Sequence, residues 1–260
     1  MGEWIQVLLL GVIEGVTEFL PVSSTGHLLI AQRWLGARSD LFNTVIQSGA
    51  VLAVVLIFTT RIRQLAFQWR DPATRQYLLK LVVAFAITGL GGLLLKRVGF
   101  QLPDTARPVA WATLIGGILF LVVERWLRGR TTRDHVSWPA AIAVAFGQLL
   151  AAVFPGASRS GSTILMALCL GVSRPAATEF SFLLGIPTLL AAGLLPIYST
   201  LKDPGAAPED WGLVLVAWVV AAATAFVTVK WLLRFVQTHT FEGFGWYRIA
   251  LGAALLLLAP

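Results

Sequence analysis

The stretch EGVTEFLPVSSTGH, residues 14–27, lies in the middle of an apolar region and decides how the chain meets the membrane. It divides that region into two pieces, 4–20 and 22–36, and each piece is shorter than the ~20 residues of a full helical span. Two carboxylates and a proline lie at the break. The pattern predicts a pair of short helices that dips into the membrane and returns, with two short full spans as the alternative.

A second interrupted region has the same design. It comprises residues 138–154 and 158–171, with the stretch PGASRSGST, residues 155–163, at its break. The aligned residue pairs are Trp4 with Trp138, Glu14 with Gln148, Pro21 with Pro155 and Ser24 with Ser158. Chance similarity is the alternative to an internal repeat, but these matches need no gap, which argues against chance.

Three long apolar segments follow each interrupted region. These candidate spans are about 42–59, 78–95, 107–127, 178–198, 211–233 and 245–260. Lysine and arginine occur in these segments only within four residues of an end, and Arg248 lies near the start of the last. Because three crossings leave the chain on the other side, the second interrupted region must enter from the opposite face. The sequence thus predicts one membrane domain, 1–260, built as an inverted-topology repeat with halves at about 1–130 and 135–260.

Composition favours the same fold class, an all-α integral membrane protein. The 260 residues are 57% hydrophobic and 13% charged, whereas a soluble domain is about 25% charged. This excludes a disordered chain and an ordinary soluble enzyme. The single cysteine, Cys169, excludes an intramolecular disulfide and a CxxC metal site.

The net charge of +7 comes from short loops between apolar segments, which is typical of topology signals rather than of nucleic-acid binding. Arginine and lysine are most frequent in the 60–80 and 124–135 loops and around the fifth span. On the other side of the membrane, acidic residues dilute the basic ones. The positive-inside rule therefore predicts that the first side is cytoplasmic. Both termini and the mouth of the first broken pair then face the periplasm or exterior.

Glu14 and Glu18 lie four residues apart and so share one helix face. Two carboxylates inside an apolar helix are costly in lipid and mark a functional site by default. For Glu14 taken alone, a tolerated polar residue near the interface is the alternative.

Three hydroxyls follow the first break, at Ser23, Ser24 and Thr25. They open a new helix, whose free amides and positive dipole end favour an anion. His27 lies three residues after Ser24, so its imidazole can lie beside that hydroxyl and carry a proton for a nucleophile. Taken singly, each serine is more often a helix cap and a membrane histidine is often structural. The clustering of these groups with two carboxylates favours function.

The second break combines small residues, hydroxyls and one guanidinium. Its candidate ligands are Gly156, Ser158, Arg159, Ser160 and Thr163. Amides at a helix start, hydroxyls and an arginine together are typical of a phosphate-binding site. A structural ion pair of Arg159 with Glu18 or Glu14 is the alternative, and the two roles are compatible in the resting state.

The repeat is asymmetric at its two breaks. The alignment sets Glu18 against Ala152, Thr25 against Arg159 and His27 against Gly161. One half therefore supplies the acids and the histidine, and the other supplies the cation. This predicts a single composite site, suited to an asymmetric diphosphate ester.

The motifs at 14–27 and 155–163 resemble the two signature motifs of the bacterial undecaprenyl-diphosphatase family, also known for bacitracin resistance. The resemblance covers the whole chain. It implies a multi-pass enzyme of the bacterial cytoplasmic (inner) membrane with its active site facing the periplasm. The implied reaction is hydrolysis of undecaprenyl diphosphate to undecaprenyl phosphate and inorganic phosphate, which recycles the lipid carrier for peptidoglycan and confers resistance to bacitracin.

Position by position, the resemblance implies catalytic roles for Glu14, Glu18, Ser24, His27 and Arg159. The substrate-binding residues are then Ser23, Thr25, Gly156, Ser158, Ser160 and Thr163. The family's dependence on a divalent cation, Mg²⁺ or Ca²⁺, assigns the metal to Glu14 and Glu18. The residues agree in one respect, since a carboxylate pair beside a diphosphate repels it unless a cation or a proton intervenes.

Several alternatives stay open at this point. The nucleophile is either Ser24 or a water that it positions. A transporter or flippase for a lipid or small anion is the rival function, because inverted repeats of broken helices are also a transporter plan. Carriage needs neither a nucleophile nor a proton carrier, so Ser24 and His27 favour the enzyme. The expected partners are the diphosphate lipid and membrane lipids but no nucleic acid, and a homodimer is a further candidate.

Overall fold

The computed structural model describes residues 2–100, 105–202 and 209–258. Over these residues the chain forms eleven α-helices and no β-strand. The helices are α1 (Glu3–Thr17), α2 (Ser24–Leu35), α3 (Asp40–Ile57), α4 (Thr59–Phe67), α5 (Pro72–Arg97), α6 (Ala106–Leu127), α7 (Trp138–Val153), α8 (Arg159–Cys169), α9 (Arg174–Lys202), α10 (Trp211–Phe235) and α11 (Glu242–Leu258). Capping side chains set several helix starts, since Ser39, Asp71, Ser137 and Asp210 each accept a hydrogen bond from an amide in the following first turn.

Five helices in the described ranges are long and apolar enough to cross a membrane: α3, α5, α6, α9 and α10. The chain is therefore an all-α, multi-pass membrane protein, and the predicted fold class is confirmed. The sixth expected span, 245–260, corresponds to α11, which is shorter than the others at 17 residues. Residues 259 and 260 of that expected span lie outside the described residues.

The interrupted regions form two pairs of short helices, and the members of each pair, α1 with α2 and α7 with α8, pack on one another. The 60–80 region differs from the expected loop. It contains α4, which continues almost directly from α3, and α5 begins at Pro72 behind the Asp71 cap. Hydropathy indicates which residues favour lipid and does not indicate where a helix ends. The sequence pattern therefore missed α4 and the start of α5 at Pro72.

The helices pair in a way that is similar in the two halves. α1 packs along α10, and α7, its counterpart in the second half, packs along α5. α3 packs along α9, and α6 packs along α11, so helices of one half lie between helices of the other. An interdigitated inverted repeat would produce this pattern, and the halves at about 1–130 and 135–260 stay a prediction.

The contact between α1 and α10 depends on two glycines. A Cβ at Gly11 would lie 2.6 Å from the carbonyl oxygen of Ala217, and a Cβ at Gly15 would lie 2.3 Å from that of Ala221. Side-chain carbons do not approach backbone so closely, so only glycine permits this helix spacing. The close contact buries the end of α1, where Glu14 and the C-terminal cap residue Glu18 lie.

The two ends of the described chain lie on one face of the molecule. Nη1 of Arg38, which follows α2, donates to Glu3 Oε1 at 2.8 Å, near the start of α1. Arg33, in the last turn of α2, donates to the carbonyl oxygen of Leu258 at the end of α11. The helix bundle therefore begins and ends on the same side, as the count of crossings predicts.

Candidate active site

The α1–α2 loop and the α7–α8 loop touch one another inside the helix bundle. Ser160, in the first turn of α8, donates its hydroxyl to the carbonyl oxygen of Leu20 at 3.0 Å. The Ser160 side chain is fully buried. The two breaks that the sequence singles out are thus brought together, and their side chains form one cluster.

A serine with the same unusual backbone begins the second helix of each pair. Ser23 and Ser158 have φ angles of +72° and +68°, a region that residues other than glycine seldom occupy. Each hydroxyl accepts a hydrogen bond from the amide three residues on, Gly26 N at 3.3 Å and Gly161 N at 3.2 Å. Backbone held in this region is characteristic of functional sites, because it aims neighbouring groups in a direction that ordinary helix starts do not.

These caps correct the alignment of the two halves by one residue. The sequence comparison set Ser24 against Ser158, whereas the matching caps set Ser23 there and Ser24 opposite Arg159. The second loop has one more residue between its proline and its cap, and a gapless comparison cannot place that insertion. The predicted pairings of Thr25 with Arg159 and of His27 with Gly161 were therefore wrong by one position.

Glu18 joins the two helix starts through the two oxygens of one carboxylate. The Ser24 hydroxyl donates to Oε2 at 2.8 Å, and Arg159 Nη2 donates to Oε1 at 3.3 Å. The side chains of Arg159 and Glu18 are 14% and 6% exposed, so the ion pair is largely buried. The ion pair that the sequence left as an alternative for Arg159 is thus present in the resting structure.

Glu14 lies one turn before Glu18 and is fully buried. Neither of its carboxylate oxygens has a hydrogen-bond partner among the described residues. It lies close enough to Glu18 and Arg159 for both charges to act on it. A buried carboxylate without a donor is costly, so Glu14 is suited to bind a proton or a cation.

His27 has both ring nitrogens engaged, and neither partner is Ser24. Nδ1 lies 2.7 Å from the carbonyl oxygen of Ser23, and Nε2 lies 2.7 Å from the hydroxyl of Tyr247 on α11. The expected contact between the His27 imidazole and the Ser24 hydroxyl is therefore not made. The reason is local: the strained cap at Ser23 turns its carbonyl toward the ring, and Glu18 takes the Ser24 hydroxyl instead.

Residues 7–254 match the family model described as bacitracin resistance protein BacA. The chain belongs to the BacA family. A relative from Rhizobium etli named undecaprenyl-diphosphatase is 51% identical over 255 residues, which cover 98% of this chain and 96% of the relative. A relative of the same name from Xanthomonas axonopodis pv. citri is 51% identical over 261 residues, which cover 100% of this chain and 98% of the relative. Neither of these two BacA-type relatives carries the name of a transporter.

In this BacA-family chain, Arg159 lies in a fitted pocket. Its guanidinium carbon is 5.1 Å from the centroid of the Phe19 ring, and Nη1 lies 3.4 Å from the carbonyl oxygen of Ser181. A Cβ at Gly185 would lie 2.5 Å from Nη1, so the absence of a side chain there makes room for the guanidinium. Nε has no hydrogen-bond partner in the described part of the chain and stays available.

The remaining predicted ligands divide into two groups. Ser158 at the start of α8 and Thr25 in the first turn of α2 are half-buried. Ser160, whose hydroxyl oxygen lies 3.2 Å from that of Ser158, is instead packed against protein, as are Thr163 and Gly156. The Thr163 hydroxyl is fully buried 2.6 Å from that of Ser181, and a Cβ at Gly156 would lie 2.3 Å from the Val109 carbonyl oxygen.

Sequence reasoning missed the role of Arg248, which is fully buried. Its guanidinium donates to the carbonyl oxygen of Pro21 in the first loop at 3.1 Å, and to those of Gly156 and Ala157 in the second at 3.1 and 3.0 Å. Two further bonds, at 3.2 and 3.3 Å, reach carbonyls of α6. Arg248 thereby joins both loops to α6 and α11. An arginine inside an apolar span was the available signal, since such residues mark functional sites.

A cavity of about 530 Å³ lies between α5 and α7. Its lining is apolar and includes Leu94, Leu150 and Phe154. Phe154 directly precedes Pro155, so the cavity extends to the edge of the second loop of this BacA-family site.

Proposed function

We propose that this protein hydrolyses undecaprenyl diphosphate to undecaprenyl phosphate and inorganic phosphate. The observation that carries the proposal is the Glu18 carboxylate, which accepts a hydrogen bond from Ser24 and pairs with Arg159. A hydroxyl with a base at 2.8 Å, beside an arginine, supplies the groups for attack on phosphorus and for stabilising the charge that develops. The name shared by the relatives gives the substrate.

Arg159 is the residue that holds the diphosphate. The terminal phosphate replaces Glu18 on the guanidinium, which presents a planar fork suited to two phosphate oxygens. The helix starts of α2 and α8 add free backbone amides and positive dipole ends, which favour an anion. Displacement from Arg159 leaves Glu18 free to act as a base.

Ser24 loses its proton to Glu18, because the hydroxyl already donates to that carboxylate. A bond forms between phosphorus and the Ser24 oxygen, or the oxygen of a water in the same place, and the bridging P–O bond breaks. Undecaprenyl phosphate leaves with the bridging oxygen. On the covalent route a water then attacks the phosphoserine and frees inorganic phosphate, with His27 carrying the proton.

Glu14 and Glu18 are the residues that would hold the divalent cation, Mg²⁺ or Ca²⁺. The fit rests on Glu14, whose two buried oxygens lack donors and are the ligands that such cations prefer. The described residues offer no group of three His, Cys, Asp or Glu side chains around one point, so substrate phosphates would supply further ligands. Bound there, the cation would neutralise charge that accumulates on the phosphates.

The surroundings of the site agree with a lipid substrate. The apolar cavity that reaches Phe154 accepts part of a prenyl chain, and the rest stays in lipid. The arginine-rich loops favour the cytoplasm for the opposite face, and in this proposal the site and both termini face the periplasm across the inner membrane. Every group that this reaction uses belongs to one chain, so a homodimer is compatible with the mechanism and is not required by it.

The test is release of inorganic phosphate from a C55 or shorter prenyl diphosphate by purified protein in detergent. Arg159→Lys should lower this rate by at least about 100-fold, because a point charge cannot replace the guanidinium fork. Arg128→Lys is the matched control, since Arg128 follows the last residue of α6, is 60% exposed and pairs with Glu242 at the start of α11. Full activity of Arg159→Lys would remove Arg159 from phosphate binding.

Ser24→Ala separates the two routes. Near-normal turnover would exclude the phosphoserine and leave a water as the nucleophile. A loss of at least about 100-fold, with Ser199→Ala unchanged, would support the covalent route. Ser199 is a suitable control because its exposed hydroxyl donates to Pro196 O of its own helix, α9.

A further inference from the structure

The hydrogen-bond partners of His27 fix which of its nitrogens carries the proton. The carbonyl oxygen of Ser23, 2.7 Å from Nδ1, can only accept, so Nδ1 must donate. In the neutral ring Nε2 is then the acceptor, and its partner at 2.7 Å is the phenol of Tyr247, which must donate. The neighbouring groups thus define one tautomer.

The orientation of the ring is fixed as well. The planes of His27 and Tyr247 are within 7° of parallel, with centroids 5.6 Å apart. Tyr247 is in turn held in place by its chain neighbour Arg248, whose guanidinium bonds to carbonyls of both loops. Any change in the position of α11 relative to the loops would therefore move the tyrosine away from the imidazole.

The two hydroxyls of the site have separate partners. Ser24 is buried and donates to Glu18, whereas Tyr247 is 48% exposed and donates to the half-buried His27. His27 and Tyr247 thus lie on the more exposed side of the site. A proton that arrives at or leaves Nε2 must displace or pass the tyrosine hydroxyl.

We propose that Tyr247 is a positioning residue for His27: the Ser23 carbonyl sets the Nδ1–H tautomer, and the Tyr247 hydroxyl donates to Nε2 and so aims that nitrogen for proton transfer. The inference rests on the proposed function, because it requires that His27 carries a proton during phosphate release. Without the hydroxyl the ring keeps only its bond to Ser23 and is free to tilt, so proton transfer slows while phosphate binding at Arg159 is unaffected.

Tyr247→Phe tests this, because it removes the hydroxyl and keeps the ring. We expect kcat for phosphate release to fall about 10-fold, a part of what general acid–base catalysis contributes, with KM unchanged. In a His27→Gln background the same substitution should have no further effect, since its only target is gone. Tyr198→Phe, on the exposed part of α9, is the matched control and should behave as the unmodified protein.

The outcomes separate this inference from the proposed function. If the unmodified protein releases no phosphate, the proposed function fails. If it does so and Tyr247→Phe is equally fast, or slows the reaction by the same factor with and without His27, only the positioning role fails. Should the variant not fold, nitrogen NMR of labelled histidine in the unmodified protein decides, with His27→Gln to assign the signal among those of His135 and His239. An Nε2–H tautomer at His27 would overturn the proposal.

Discussion

At the scale of single residues, Glu18 serves both halves of the site, because one oxygen faces Ser24 and the other faces Arg159. Glu18→Gln should lower phosphate release by at least about 100-fold, since an amide neither takes the serine proton nor balances the guanidinium. The measurement is the initial rate in detergent. Glu179→Gln is the control, because Glu179 also pairs with an arginine, but with Arg61 rather than Arg159. A Glu18→Gln rate close to the control would contradict the base role.

A second prediction concerns Glu14 and the cation concentration that the reaction needs. Glu14→Gln should raise the Mg²⁺ or Ca²⁺ concentration that gives half-maximal activity by about 10-fold or more, because one of two carboxylate ligands is lost. A titration of activity after chelation measures this, together with direct metal binding to the substrate-free protein. Glu3→Gln, in an exposed ion pair, serves as control. An unchanged titration would mean that Glu14 holds a proton and not a metal.

The residue types at the site could be predicted from sequence better than their partners. Two carboxylates in an apolar helix and an arginine at the matching break were enough to place Glu18 and Arg159 in one site. The partner of His27 lies on α11, far along the chain, and no local spacing points to it. The contact of His27 with Ser24 was wrong for a related reason, since spacing along a helix does not account for competing acceptors such as Glu18.

At the scale of helices, the spacing of α1 and α10 is set by glycine. A Cβ at Gly15 would lie 2.0 Å from Thr224 Oγ1, so Gly15→Ala should push the helices apart and lower the free energy of unfolding by about 1–3 kcal/mol. Gly92→Ala on α5 is the control, because a Cβ there meets no atom within 4 Å. Thermal unfolding in detergent measures both. Equal melting temperatures would show that the interface relaxes around the extra carbon.

Helix positions followed from hydropathy and helix ends did not. The five long spans lie close to the predicted ranges because lipid requires an unbroken apolar run. α4 was missed because it is polar. α9 continues through Pro187 and Pro196, both of which lie within the predicted span 178–198. Inside a bundle, neighbouring helices compensate for the backbone bonds that proline removes.

At the scale of the whole molecule, the chain ends share one face and the arginine-rich regions lie toward the other. We expect reporter fusions at both termini to be active only in the periplasm, and a fusion within the 124–135 loop to be active only in the cytoplasm. Both termini must be tested, because opposite locations for them would contradict the predicted orientation and also the even number of membrane crossings. The inverted repeat stays a prediction of the sequence, and the register of its two halves was corrected by the backbone at Ser23 and Ser158.

The ion pair between Glu18 and Arg159 means that the protein contains its own competitor for phosphate at the guanidinium. The Glu18 carboxylate belongs to the same chain as Arg159, so it competes with phosphate for the guanidinium at an effective concentration far above that of a free solute. Each product is therefore displaced by a group that never diffuses away, so inorganic phosphate should inhibit only weakly. The same ion pair neutralises the Arg159 guanidinium inside the membrane between turnovers.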